Sequence, residues 1–361
     1  MRSSILVLLI SAASVFAAPR LDDDTTCLLD ESEWYAPEKH VVELQKFLDV
    51  ASRAPKTLHV LDVFGVSCRM QSAFEEKGFV GFSYDIKLSK THDITSESGF
   101  KVLLEKAARL HPEGLIAGAP PCSLFTAASS SVHKRTKLHP CGNLANYKVR
   151  LAQRIWGSFV MFLMLVLQNT PTLRLMVEQP CSSWGFKQLF FVSLIGIFKL
   201  YIVKTHMGFF NHDLCKCSHL LTNMRSLSSL TRTMTKKDRK MIQDRFDRRQ
   251  RRRSKPRVYH VKVHRPDGSI GWQGGPDLPL TATFTRTFCR AVRGCWENRN
   301  LDEAVPKAPH SKPGGRKPPH SKSAGRNQQR QLRPKKVHRG HKLCVAVRRS
   351  ARLAAKAAEG A

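Results

Sequence analysis

Three short apolar runs, separated by segments of helix length, govern the first part of this 361-residue chain. LHVLDVF (58–64), VGFSYDI (80–86) and GLIAGAP (114–120) read as buried strands. Between them, residues 69–77 put Met70, Ala73 and Phe74 on one helical face, and GFKVLLEKAARL (99–110) is amphipathic at helical period. A helix between successive strands carries the chain back to its starting edge, so the strands pair in parallel. The expectation is an α/β fold: a Rossmann-like, doubly wound, mostly parallel sheet with helices on both faces.

The pattern continues. Residues 38–53 carry apolar residues at helical spacing before the first strand. A helix is expected over 147–168, whose second half is nearly all apolar yet suits a buried helix better than a membrane span. TLRLMVEQP (172–180) reads as a strand, LFFVSLIGIF (189–198) as a helix on the sheet and KLYIVKTH (199–206) as a strand. HLLTNM (219–224) closes the expected globular domain, which spans 38–224.

Charge divides the chain at that point. Up to residue 224 there are 24 Lys and Arg against 19 Asp and Glu; after it there are 36 against 9. The second part holds a basic helix candidate (231–257) and an alternating segment (259–274) with a hairpin signal at Asp267-Gly268, together a 225–303 region. From 304 to 361 the composition is that of a basic, largely disordered extension. A polycation of this size attracts polyanions by counterion release, nucleic acid first and anionic membrane second. Arg251, Arg252, Arg253, Lys255 and Arg257, with Arg135 earlier in the chain, are the candidate phosphate contacts; a merely solvated charge run is the alternative.

The N-terminus points elsewhere. Arg2 precedes the apolar run ILVLLISAASVFA, with Val15 and Ala17 at the small-residue positions, which is the shape of a signal or organelle-targeting peptide over 1–17. Localisation is therefore open between that route and the nucleus suggested by the basic tail. No transmembrane helix is expected in the mature chain. The ten cysteines contain no paired C-x-x-C clusters and lack the density of a disulfide scaffold. Cys215 and Cys217 read as a chance C-x-C, and no metal site is expected.

Ligands of doubly wound sheets bind beyond the carboxyl ends of the strands. Asp62, Phe64 and Gly65 fall at the first such end, and Asp85 at the second, where a carboxylate can accept hydrogen bonds from ribose hydroxyls. Asp93 follows in the next loop. Pro120, Pro121 and Cys122 fall at the third end and Glu178 at the fourth. Each acid could equally cap a helix or form a turn, and Cys122 could be a cysteine in a proline-stiffened turn.

Taken in order, these segments resemble the S-adenosylmethionine-dependent methyltransferases, nearest to the DNA cytosine-5 methyltransferases. LDVFGVSCRMQSAFEEKGF (61–79) is similar to their cofactor loop, FSYDI (82–86) to the ribose-binding acid segment and HDIT (92–95) to the segment whose Asp meets adenine. APPCS (119–123) is similar to the nucleophile motif and VEQP (177–180) to the motif whose Glu contacts the target base. The likeness covers residues 58–224. It implies S-adenosyl-L-methionine as cofactor, held by Asp62, Phe64, Gly65, Asp85, Asp93 and Pro120, with Cys122 and Glu178 as catalytic residues. Lys216 is a weak stand-in for the family's later arginine.

That chemistry needs a thiolate to add at pyrimidine carbon 6 and an acid near the ring nitrogen. His133, Lys134 and Arg135 are expected to supply positive potential to Cys122. Two other functions stay open: a methyltransferase-like nucleic-acid-binding protein without turnover, and a secreted or membrane-surface cationic protein.

Overall fold

One six-stranded sheet runs in the order β2-β1-β3-β4-β6-β5, made of β1 (Leu58–Val63), β2 (Gly81–Tyr84), β3 (Leu110–Gly118), β4 (Arg174–Pro180), β5 (Tyr201–His206) and β6 (Cys217–Thr222). This is a computed structural model. It describes residues 46–298, apart from 48, 127–128, 137–138, 265–269, 275 and 278–280. The expected leader, the Asp267-Gly268 turn and the 304–361 tail lie outside the described residues.

β1 pairs in parallel with β2 and β3, and β3 with β4. β6 runs antiparallel to both β4 and β5. Five strands therefore share one direction and β6 returns between two of them, giving a mixed, mostly parallel sheet. The chain goes outward from β1 to β2 and then crosses back to β3, so strand order reverses between β1 and β3. Crevices of ligand-binding size open at such reversals, on the carboxyl side.

Period-2 alternation along the strands feeds two cores. Leu61, Val63, Ile116, Leu175 and Val177 face α2 (Glu97–Ala108), α4 (Tyr147–Asn169) and α5 (Leu189–Phe198), joining Leu103, Trp156, Phe159, Leu163 and Phe191. A short α3 (Ser130–His133) precedes α4. α4 is long and apolar enough to cross a membrane. Its Val149, Trp156, Phe159, Val160, Leu163 and Val166 are instead buried.

On the other face, Val60, Leu115, Ala117, Met176 and Leu220 meet α1 (Arg69–Glu75) and α7 (Arg286–Glu297). α7 lies beyond the expected domain end at residue 224, yet Phe288, Val292 and Trp296 are buried there. The Trp296 ring packs against Phe74 and Phe79, with ring centres 5.1 and 5.0 Å away. Arg293 Nη1 donates to Ala73 O at 2.5 Å, Arg290 grips Glu76, and Trp296 Nε1 donates to Glu113 O at 2.8 Å. The domain boundary is thus corrected: the chain leaves through α6 (Lys236–Arg251) and the hairpin β7 (His260–His264)–β8 (Ile270–Gly274), then returns to finish the core.

Candidate functional site at the carboxyl edge of the sheet

Four strand exits bring the expected residues to one edge. At the end of β1, Asp62 is buried and its Oδ1 has no hydrogen-bond partner among the described residues. Burial raises its pKa from 3.8 to about 7, and the negative charge of Asp85 adds to the rise; the Met70 backbone amide offsets part of it. The turn that follows is tight. Phe64 and Cys68 both adopt left-handed backbone angles, φ 65° and 50°, a conformation costly for side chains of this kind. Gly65 between them must be glycine, because a Cβ there would clash with the Asp62 carboxylate. The side chain of Arg69 is committed to the segment before α7: its Nη1 donates to Phe284 O at 2.6 Å.

Asp85 ends β2. One of its carboxylate oxygens accepts the Lys87 amide at 2.8 Å, and its carbonyl accepts those of Leu88 and Ser89. Asp93 serves the turn that launches α2: its Oδ1 accepts both the amide and hydroxyl of Thr95, at 2.9 and 2.7 Å. Both acids therefore do local turn work.

The β3 exit is braced from two sides. Gln179 Nε2 donates to Pro120 O at 2.7 Å, and Trp156 Nε1 to Pro121 O at 2.9 Å. Gln179 is itself held by Ser183, whose hydroxyl donates to its Oε1 at 2.9 Å. Cys122 follows, partly buried. Burial pushes its thiol pKa up; Lys216 pulls it down and Glu178 pushes it up again.

Glu178 is 3% exposed, and its Oε1 lies 3.2 Å from Lys216 Nζ. Lys216 stands just before β6, whose antiparallel course beside β4 carries it to this point. A disulfide between Cys181 and Cys217 ties the same two strands. Cys217 is therefore paired with Cys181 and not with its C-x-C neighbour Cys215, a pairing that the sequence reading did not offer. The partners are 36 residues apart, and strand pairing of Pro180 with Ser218 brings them together. Among the described residues, no group of three His, Cys, Asp or Glu is placed to hold a metal.

The cation near Cys122 is Lys216, not the expected basic stretch. His133 is buried, with Nε2 against Thr126 O and Nδ1 accepting the Arg135 amide. Arg135 is 4% exposed and caged. It donates to the carbonyls of Leu124, Pro140 and Cys141 and to Gln153 Oε1, and it stacks 4.0 Å from the Phe125 ring centre. Burial lowers its pKa to about 10. Its Nε and Nη1 donors are spent on the protein and its Nη2 is buried among the described residues, out of reach of a phosphate, so Arg135 is withdrawn as a phosphate contact.

The arginines near the tail divide. Arg251, Arg252 and Lys255 are exposed. Arg253 and Arg257 converge with Arg249 on Asp213. No sequence motif marks Asp213, although it is the single acid between Glu178 and Asp238. Gln179 stands in the VEQP segment, but its brace on Pro120 is not legible there, and Lys216 is only weakly signalled. No protein-family model matches the sequence, and no curated protein matches it.

Proposed function

We propose that this chain is a nucleic-acid methyltransferase of the cytosine-5 type, with S-adenosyl-L-methionine as methyl donor and a Rossmann-like cofactor crevice between β1 and β3. The observation that carries the reading is convergence. Lys216 pairs with Glu178, and both act electrostatically on Cys122, at the carboxyl edge that also holds Asp62 and Asp85.

The crevice residues fit a ligand that brings hydrogen-bond donors. The unpartnered Asp62 Oδ1 calls for one, Gly65 lets the tight turn close against the Asp62 carboxylate, and Asp85 follows the second strand, where a carboxylate can accept ribose hydroxyls. Asp62, Phe64, Gly65, Asp85 and Pro120 would hold the cofactor, which supplies an electrophilic methyl group when bound. Cys122 adds through sulfur to pyrimidine carbon 6, and the displaced electron pair makes carbon 5 nucleophilic. Glu178 stabilises that addition at the ring nitrogen. Lys216 offsets the burial of Cys122 and holds Glu178 in place. Carbon 5 would take the methyl group with release of the donor's neutral thioether; loss of the carbon 5 proton to water then returns the pair and expels the Cys122 thiolate. The base must leave the stack to reach this edge.

A second reading has its own support. The raised pKa of Cys122 keeps its thiol protonated at neutral pH, as suits a methyltransferase-like fold that binds nucleic acid without turnover. The Cys181–Cys217 disulfide favours an oxidising compartment and hence the leader peptide, whereas Cys68, Cys122, Cys215 and Cys289 are thiols. Calorimetric titration with S-adenosylmethionine tests the crevice. The proposal expects saturable binding that Asp85→Ala weakens at least about tenfold, or about 1.4 kcal/mol. Absence of binding at millimolar cofactor contradicts it.

A further inference from the structure

Away from Cys122, a groove of about 620 Å³ opens between the β1–α1 loop, the 211–213 loop, the C-terminal end of α6 and the first turn of α7. Five arginines line it: Arg69, Arg249, Arg253, Arg257 and Arg286. One acid, Asp213, faces them. Its Oδ1 lies 2.9 Å from Arg249, its Oδ2 lies 3.1 Å from both Arg253 and Arg257, and Tyr259 donates to Oδ2 at 2.9 Å. Burial alone would raise the Asp213 pKa, but hydrogen bonds from Arg249, Arg253 and Tyr259 bring it down to about 2. Asp213 therefore stays ionised and neutralises one of the three charges it gathers.

Such a hub orders guanidinium forks in advance. A ligand meeting them does not bear the full entropy cost of fixing long side chains. The α7 helix begins at the same groove and adds the positive end of its dipole.

The groove continues. A second depression of about 560 Å³ shares Arg253 and Arg257 with the first and adds Arg252 and Lys255, with Asp277 as its acid. A single small anion would fill only part of this track. A chain of regularly spaced phosphates would follow it along its length. The 211–213 loop that walls the groove runs on to Lys216, which contacts Glu178 at the candidate catalytic edge.

We propose that this double groove binds the phosphodiester backbone of single-stranded nucleic acid and delivers the strand toward Cys122. It rests on the reading of nucleic acid as substrate and is independent of whether methyl transfer occurs. The groove gives the chain a built phosphate track formed by residues between Ser67 and Thr287.

The test is fluorescence anisotropy of a short labelled single-stranded oligonucleotide with the full chain, over a range of salt. Arg252→Gln with Arg286→Gln removes two exposed groove charges. Lys236→Gln with Lys237→Gln removes two exposed charges at the start of α6, outside the groove. The groove pair is expected to flatten the slope of log affinity against log salt by about 0.7 for each phosphate no longer neutralised, and the control pair to leave it unchanged. Equal changes in both pairs, or none in either, would overturn the proposal, since binding would then be diffuse. So would binding confined to anionic lipid vesicles. Labelled-methyl incorporation on the same proteins separates the two ideas. Groove-dependent binding without incorporation contradicts the methyltransferase reading and leaves the groove standing.

Discussion

Lys216 Nζ lies 3.2 Å from Glu178 Oε1 in a nearly dry contact, and the same two side chains pull the Cys122 thiol in opposite directions. An ion pair buried to this degree costs more to break than it gained in forming. Lys216→Met removes the ion-pair partner of the buried Glu178 and should destabilise the fold by about 3 kcal/mol in urea unfolding. A loss below about 1 kcal/mol would mean water already reaches the pair.

Cys122 should titrate above an ordinary cysteine, because burial penalises the thiolate more than Lys216 favours it. Its alkylation rate against pH should have a midpoint higher than that of an exposed cysteine, and Lys216→Met should move it higher still. Alkylation by iodoacetamide, read residue by residue in mass spectrometry, checks both.

Asp62 makes stability depend on pH in an unusual direction for a carboxylate. Its folded pKa, about 7, stands above the 3.8 of the exposed group. The native state thus holds the proton more tightly. The resulting stability is full below about pH 4 and lost as pH rises toward 7, up to about 4 kcal/mol in all. Asp62→Asn should flatten this window and be the more stable protein at pH 8. Urea midpoints at pH 5 and pH 8 for both proteins decide it.

The disulfide closes a stretch of 36 residues that includes α5 and β5. In the chain-entropy account it stabilises by about 3–4 kcal/mol. Cys181→Ser should lower the thermal midpoint, reductant should do the same to the wild type, and reductant should add nothing to the variant.

Much of this architecture is legible because burial writes a period into the sequence. The runs at 58–64, 80–86, 114–120 and 172–180 correspond to β1 to β4, and the 189–198 segment is α5 at those bounds. The reversal of β6 is not legible: an antiparallel strand inserted between two others leaves no mark in its own residues. α7 is legible in principle. Phe288, Val292 and Trp296 recur at helical spacing, but the surrounding arginines disguise them as more of the basic tail. At the candidate site, strand ends bring Asp62, Asp85, Cys122 and Glu178 to one edge as expected. Arg135 misleads because charge in a sequence does not say whether its donors meet solvent or carbonyls. The disulfide and the Lys216 contact depend on strand pairing between distant residues, which spacing alone does not encode.

Methyl transfer through Cys122 is open to a direct measurement. Purified wild type and Cys122→Ser should be compared for incorporation of labelled methyl from S-adenosylmethionine into single- and double-stranded nucleic acid. Incorporation by the wild type that falls at least about a thousandfold in the variant, or about 4 kcal/mol, is the predicted result. Undiminished incorporation by the variant, or none by a wild type that binds both cofactor and nucleic acid, would contradict it.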